Sequence, residues 1–383
     1  MINELLAHAT DPAAEPDLRE VVAEHVRRVV ATRGRADRTV VQRAESAVAA
    51  DPARITVDSS QLATLSIDDA SWSAGRFKTR SISDLRGQQA GRAGACRLIV
   101  FAGRSPATDI GALQATTGGR PLFQVASQFN CLESPGAYVT PVSNYFSDPT
   151  QGPRAAISAF PATLLRHYAA PGENGERFVQ STGHKQLDLL GDVFPEEQSP
   201  VRNGYLADAG GFGTEAVAVA LEEQFDQICV GVQEDAEVVL GYDWDGAVDS
   251  HGQRITQVLT STVAGGPYGG SGAFARSFEQ VCRELLRAAY LGTLLAALDL
   301  DCSPVVLTLI GGGVFGNPSQ LIWDAILSAL DEADTLVSGS LDVIVNTWDA
   351  GRLSLPESVV NRASESGGAV VRFDENGLAA VER

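Results

Sequence analysis

The chain has 383 residues, 44% of them hydrophobic and 20% charged, an ordinary globular composition with length for one large core or two smaller ones. Lys and Arg total 29 against 48 Asp and Glu, a formal charge of −19, so unmodified nucleic acid is not an expected partner; a small phosphate ligand still fits, because amides at a helix start bind one without a cation. No apolar run reaches membrane-span length, the opening "MINELLAHATDPAAEPDLRE" has no basic stretch leading into an apolar one, and the five cysteines show no zinc spacing. The expectation is a cytoplasmic protein with no membrane contact, no metal and no cofactor.

Residues 1–54 are rich in Ala, Arg, Glu and Val, and "LREVVAEHVRRVVATR" carries helical periodicity. Residues 55–94 are mixed and end in the loop "RGQQAGRAGA", so 1–94 read as an N-terminal helical extension with a linker. From 95 to 383 strands and helices alternate. "RLIVFAG" and "PLFQVAS" read as strands, "RAAISAFPATLLRHYA" as a helix interrupted near Pro161, and "QICVGV" and "AEVVLGY" as two further strands. The Gly/Pro/Asp-rich stretch 170–215 is long for a simple connection. "GAFARSFEQVCRELLRAAYLGTLLAALDL" is a long helix. The strand "LDVIVNTW", a helix from about Pro356 and the strand "GAVVRFD" complete an α/β layered sheet.

Between that long helix and "LDVIVNTW" lies "LTLIGGGVFGNPSQLIWDAILSAL", residues 307–330: an apolar strand, a glycine turn and an amphipathic helix. Gly311, Gly312 and Gly313 allow positive φ and close approach of a ligand to the backbone. Asn317 suits an N-cap and Pro318 the first helical position. A helix N-terminus beside bare glycines is an anion site, best matched to phosphate. The P-loop pattern is absent, since Asn317-Pro318 follow Gly316 where Lys and Ser/Thr would be required. Gly311, Gly313 and Gly316 satisfy G-x-G-x-x-G between a strand and a helix, but only 67 residues follow Gly316, too few for the remaining strands of a dinucleotide fold in its usual order.

Three stretches in order resemble a macrodomain, the ADP-ribose-binding fold. "AGRSPATDIGALQ" places Asp109-Ile110 after a strand, as in that family's Gly-Asp-Ile-Thr turn. "LFQVASQFNCLE" supplies Asn130, and "DPTQGPRAAISAF" supplies Gln151-Gly152 before a helix, without the family's second loop glycine there. "GGGVFGNPSQLIWDAI" matches the second phosphate loop, Gly-x-Gly-x-x-Gly-x-Pro, throughout, and in this family that loop lies near the C-terminus. The resemblance covers roughly residues 97–375. It implies a three-layer α/β/α macrodomain-like mixed sheet, carrying here an N-terminal helical extension over 1–94 and a large insertion over about 170–270.

It further implies site roles. Gly311, Gly312, Gly313, Val314, Phe315, Gly316 and Asn317, with Gln151 and Gly152, would grip a diphosphate; Asp109 beside Ile110 would select adenine; Trp348 would stack on it; Asn130 would bond the distal ribose. Each has a structural alternative: a helix cap for Asp109, a core position for Trp348, a turn asparagine for Asn130. Cleaving an ADP-ribosyl bond needs an oriented water, and Glu133 is the carboxylate nearest Asn130 in sequence. "VGVQEDAEVV" adds Glu234 and Asp235, similar in composition to the paired glutamates of poly(ADP-ribose) glycohydrolases, but a solvated strand edge explains them as well. The implied function is an ADP-ribosyl hydrolase acting on a modified macromolecule. The alternatives are a non-catalytic reader of ADP-ribose and a Rossmann-type NAD(P)-dependent oxidoreductase.

Overall fold

The computed structural model describes residues 1–383 except 35–37, 89–93, 173, 207–213, 245–251, 266–276 and 348–354. Three helices come first: α1 (Ile2–His8), α2 (Glu15–Ala31) and α3 (Thr39–Ala50). On α2 the buried Leu18, Val22, His25 and Val29 recur on one face, the stripe an amphipathic helix needs. An antiparallel meander follows, β1 (Ile55–Val57), β2 (Ala63–Ile67) and β3 (Ala70–Ser81), closed by α4 (Ile82–Gly87) with a Ser81/Asp84 capping box. Then come β4 (Ala95–Ala102), α5 (Ile110–Thr116), β5 (Leu122–Ala126), α6 (Gln151–Ser158) and α7 (Phe160–Tyr168). The expected interruption near Pro161 falls at Ala159, whose φ −109°, ψ 53° lies outside the helical region and leaves Pro161 in the first turn of α7.

Two small ribbons occupy the next stretch, β6 (Ala170–Pro171) with β7 (Arg177–Phe178), and β8 (Val201–Arg202) with β9 (Tyr205–Leu206). The remainder is α8 (Thr214–Glu223), β10 (Cys229–Glu237), β11 (Arg254–Thr260), α9 (Phe278–Asp299), β12 (Val305–Thr308), α10 (Ser319–Asp334), β13 (Ser340–Thr347), α11 (Glu357–Glu365), β14 (Ala369–Asp374) and β15 (Gly377–Glu382).

Eleven of the strands form one mixed sheet in the order β1-β2-β3-β10-β11-β5-β12-β13-β4-β14-β15. The six from β11 to β14 are mutually parallel, and antiparallel strands flank them on both sides. Strands such as Leu98–Ala102 and Val343–Thr347 are buried without alternation, as expected where both faces are covered. Both faces are indeed packed along β10. A Cβ on Gly292 of α9 would lie 2.7 Å from Val230, while Gln233, three positions on and therefore facing the other way, accepts a 3.2 Å hydrogen bond from Arg166 of α7. This is a mixed α/β fold with helices on either side of a large central sheet. Among the described residues no helix is long and apolar enough to cross a membrane.

Several expectations need correcting. β3 pairs with β10 along Arg76–Ser81, so residues 55–81 belong to the sheet and position 94 marks no break in it. Over 170–270, where an insertion is expected, β10 and β11 are full members of the sheet, and only the ribbons, α8 and their loops lie outside it. "QICVGV" and the start of "AEVVLGY" are one strand, not two. They are joined across a β-bulge between Gln233 and Ala236, with Asp235 at φ 53°. The parallel order also departs from the 3-2-1-4-5-6 arrangement of a Rossmann sheet, because β4, the first parallel strand, lies between β13 and β14. The oxidoreductase alternative loses its topological basis.

At one edge β1 is only three residues long. At the other, Arg19 of α2 donates to the carbonyls of Leu378 (2.8 Å) and Ala379 (3.0 Å) on β15.

Candidate functional site

Neighbouring strands β5 and β12 send the chain in opposite directions across the sheet, β5 toward β10 and β11, β12 to β13. A cleft opens at the carboxyl ends of two parallel strands that diverge in this way, the usual ligand position in an open α/β sheet. Here Ala126, the last residue of β5, and Thr308, the last of β12, both line a cavity of about 130 Å³.

The glycine turn after β12 forms one wall. Gly311 (φ 71°) and Gly316 (φ 63°) take the left-handed conformation, while Gly312 and Gly313 do not. Gly311, Gly313, Val314 and Phe315 line the cavity. Gly313 has open space where a Cβ would stand, whereas Gly312 turns toward Ile322 and Leu309. Asn317 does not cap α10. Its side chain crosses to the end of β11, accepting from Thr262 Oγ1 (2.9 Å) and donating to the Val263 carbonyl (2.9 Å), and Pro318 is left as the cap of a helix that starts at Ser319. The hydroxyl of Tyr290 braces the turn by donating to the Thr308 carbonyl and accepting from the Ile310 amide.

The opposite wall is the loop after β5 and the start of α6. Gln151 and Gly152 line the cavity, and Asp148 Oδ1 fixes the approach to the helix by accepting from the Thr150 amide (2.9 Å) and hydroxyl (2.7 Å). Glu133 is 6% exposed, and its Oε1 has no hydrogen-bond partner. Burial, and then the charge of Asp148, push its carboxyl well above the usual carboxylate range, against Arg166 and Gln128. Glu133 also borders a second, adjoining cavity of about 480 Å³ that shares Ser134, Pro135, Asp148, Thr150 and Val314 with the first. A carboxyl that holds its proton more tightly than usual, between two cavities and beside the first-turn amides of α6, can deliver that proton to a departing group.

The backbone of Glu133 is held from behind. Its amide donates to Tyr145 Oη (2.8 Å), which is 2.8 Å from His167 Nε2. Burial, reinforced by Arg166, lowers His167 to about 3, so its ring is neutral. From β9 Tyr205 closes the first cavity, its hydroxyl donating to the Ser134 carbonyl (2.7 Å) and its ring 6.0 Å from that of Phe315.

Of the residues singled out by sequence, Glu133, Gln151, Gly152, Gly311, Gly313, Val314 and Phe315 converge on this cavity. Others do not. Asn130 is turned toward the segment between β7 and β8, donating to Gln186 Oε1 (2.9 Å) and accepting from the Leu132 amide (3.1 Å). Asp109 caps α5 through the Ala112 amide and pairs with Arg154 at 3.0 Å, so the protein occupies both its oxygens; Ile110 is buried beside it. Glu234 and Asp235 lie at the β10 bulge, where Arg76 pairs with Asp235 and approaches Glu234 at 3.9 Å. Trp348 lies outside the described residues. Sequence reading missed Gln128, Asp148, Thr150, Tyr205 and Thr262. The Asp-x-Thr spacing ahead of α6 is a readable turn signal, whereas nothing near Tyr205 marks it.

No protein-family model matches the sequence, and no curated protein matches it. Solved structures do. The poly(ADP-ribose) glycohydrolase of Thermomonospora curvata aligns with 86% of this chain and 98% of its own, at 13% identity and a TM-score of 0.44. Its form bound to the inhibitor ADP-HPD covers the same shares at 14% and 0.41. The Deinococcus radiodurans enzyme in complex with ADP-ribose covers 76% of this chain and 94% of its own, at 12% and 0.39. Similarity at that level leaves the chemistry to be read from this chain's own residues.

Proposed function

We propose that this chain is a cytoplasmic ADP-ribosyl hydrolase that removes ADP-ribose from a modified macromolecule. The observation that carries the reading is Glu133: a buried carboxyl with an unpartnered oxygen, on a residue that lines the cavity between the glycine turn and the start of α6. The Gly311–Phe315 turn and the α6 amides supply a phosphate-binding surface without a cation, in keeping with the sequence likeness to the macrodomain phosphate loop. In the proposed reaction Glu133 gives its proton to the leaving atom as the bond to the anomeric carbon breaks. Water adds to that carbon and returns a proton to the carboxylate, so one water is consumed and the enzyme is restored.

The test is release of ADP-ribose from Ser-, Asp/Glu- and Arg-linked conjugates and from poly(ADP-ribose). Wild-type protein is expected to release it, and Glu133→Gln to lose about 10² to 10⁴ in rate while ADP-ribose affinity changes little. Tight ADP-ribose binding with no release from any conjugate would make the protein a reader instead.

A further inference from the structure

We propose that the N-terminal helices position Glu133, through a relay from Glu45 on α3 to the Glu133 backbone by way of Tyr145. Its kinetic consequence rests on the hydrolase reading; its structural one does not.

Glu45 is 6% exposed although it sits on a helix 88 residues before the carboxyl it would serve. Both its oxygens are used. Oε1 accepts from the Val142 amide (2.6 Å) and the Tyr168 hydroxyl (3.0 Å), and Oε2 from the Ser143 amide (2.9 Å). Val142 and Ser143 are the first residues of the helical turn Val142–Ser147, whose leading amides have no partner inside the turn. A carboxylate there satisfies those donors and meets the positive end of the turn, as a capping side chain would, but it comes from a distant helix.

That turn carries Tyr145, 2% exposed, whose hydroxyl takes the Glu133 amide. His167 on α7 holds the same oxygen from the other side. The segment from Ser127 to Pro141 contains no helix or strand, so the Glu133 amide gets no ladder or helical partner, and the phenol is what fixes it. Neither Glu45 nor His167 lines either cavity, which makes them positioning groups. Tyr145 borders the second cavity, but its oxygen is committed to Glu133 and His167.

Full-length Glu45→Gln, Tyr145→Phe and the double variant test the relay. Each single variant is expected to fold, to lower kcat about 10-fold or more with KM little changed, and to speed hydrogen exchange at the Glu133 amide. The double variant should lose less than the product of the two single losses, because the groups act in series. Unchanged exchange at Glu133, or losses that multiply as independent defects do, would overturn the relay. So would faster exchange with unaltered kcat. Should wild-type protein release no ADP-ribose, the hydrolase reading fails and exchange alone decides the relay.

Discussion

Glu133 Oε1 lies 2.6 Å from the point where Gly152 would carry a Cβ, and the Ala126 carbonyl lies 2.5 Å from the same point. The carboxyl thus fills space that only glycine leaves at the start of α6. A methyl there must displace either a backbone carbonyl or the candidate catalytic group. Gly152→Ala is expected to destabilise the fold by about 1–3 kcal/mol and to abolish ADP-ribose release. Gly313→Ala is the control, because nothing lies within 4 Å of its Cβ position. Its stability should stay within about 0.5 kcal/mol of wild type. Urea denaturation of the two variants checks the contrast.

Glu133 should also leave a signature in stability against pH. A carboxyl raised in the folded state binds its proton more tightly there than in the unfolded chain. Its contribution is therefore complete below the unfolded value near 4.5 and is lost as pH rises through the folded value. Glu133→Gln removes that loss. The variant should gain stability relative to wild type as pH rises from 5 to 8, and a gap constant across that range would show that the carboxyl is not raised.

His25 works in the opposite sense. On α2 it is 1% exposed with both ring nitrogens unpartnered, and burial, followed by the Met1 amine and Arg28, lowers it from 6.5 to about 4. The folded state holds this proton less tightly, so stability is full above the unfolded value of 6.5 and is lost as pH falls toward 4. The loss amounts to about 3 kcal/mol. His25→Leu should flatten the acid limb of the stability profile between pH 6.5 and 4, which thermal melts across that range would reveal.

Ligand preference can be read without turnover. ADP-ribose at about 100 times its Kd should stabilise the protein by roughly 2.7 kcal/mol, and NADP by less. Gly313→Glu places a negative charge in the open part of the glycine turn. It should weaken ADP-ribose binding and leave the melting temperature of the unliganded protein unchanged. Equal affinity in that variant would mean the turn does not hold the diphosphate.

The parallel strands were legible because their burial on both faces writes unbroken apolar runs such as "RLIVF" and "VVLT". β3 was not, since "ASWSAGRFKTRS" mixes exposed polar and small residues along twelve positions that are only partly covered. β10 reads as two strands because the bulge sets the charged, half-buried Glu234 and Asp235 in mid-strand. In the site, the glycine turn and Glu133 could be found locally. Asn317 and Asp109 each have two chemically sound uses, and only tertiary partners, Thr262 with Val263 and Arg154, select between them. Tyr205 arrives from another part of the chain, and no local pattern announces such a wall.

The contacts of Arg19 with β15 bear on how the molecule behaves in a crowd. An edge strand with free carbonyls is a template on which another chain can add a strand. By taking the carbonyls of Leu378 and Ala379, α2 denies that edge to passing copies, while the other edge is a strand of only three residues. One guanidinium that does not line the cavity is therefore expected to influence solubility at high concentration. Arg19→Ala should leave catalysis intact and raise self-association, visible as a concentration-dependent increase in light scattering.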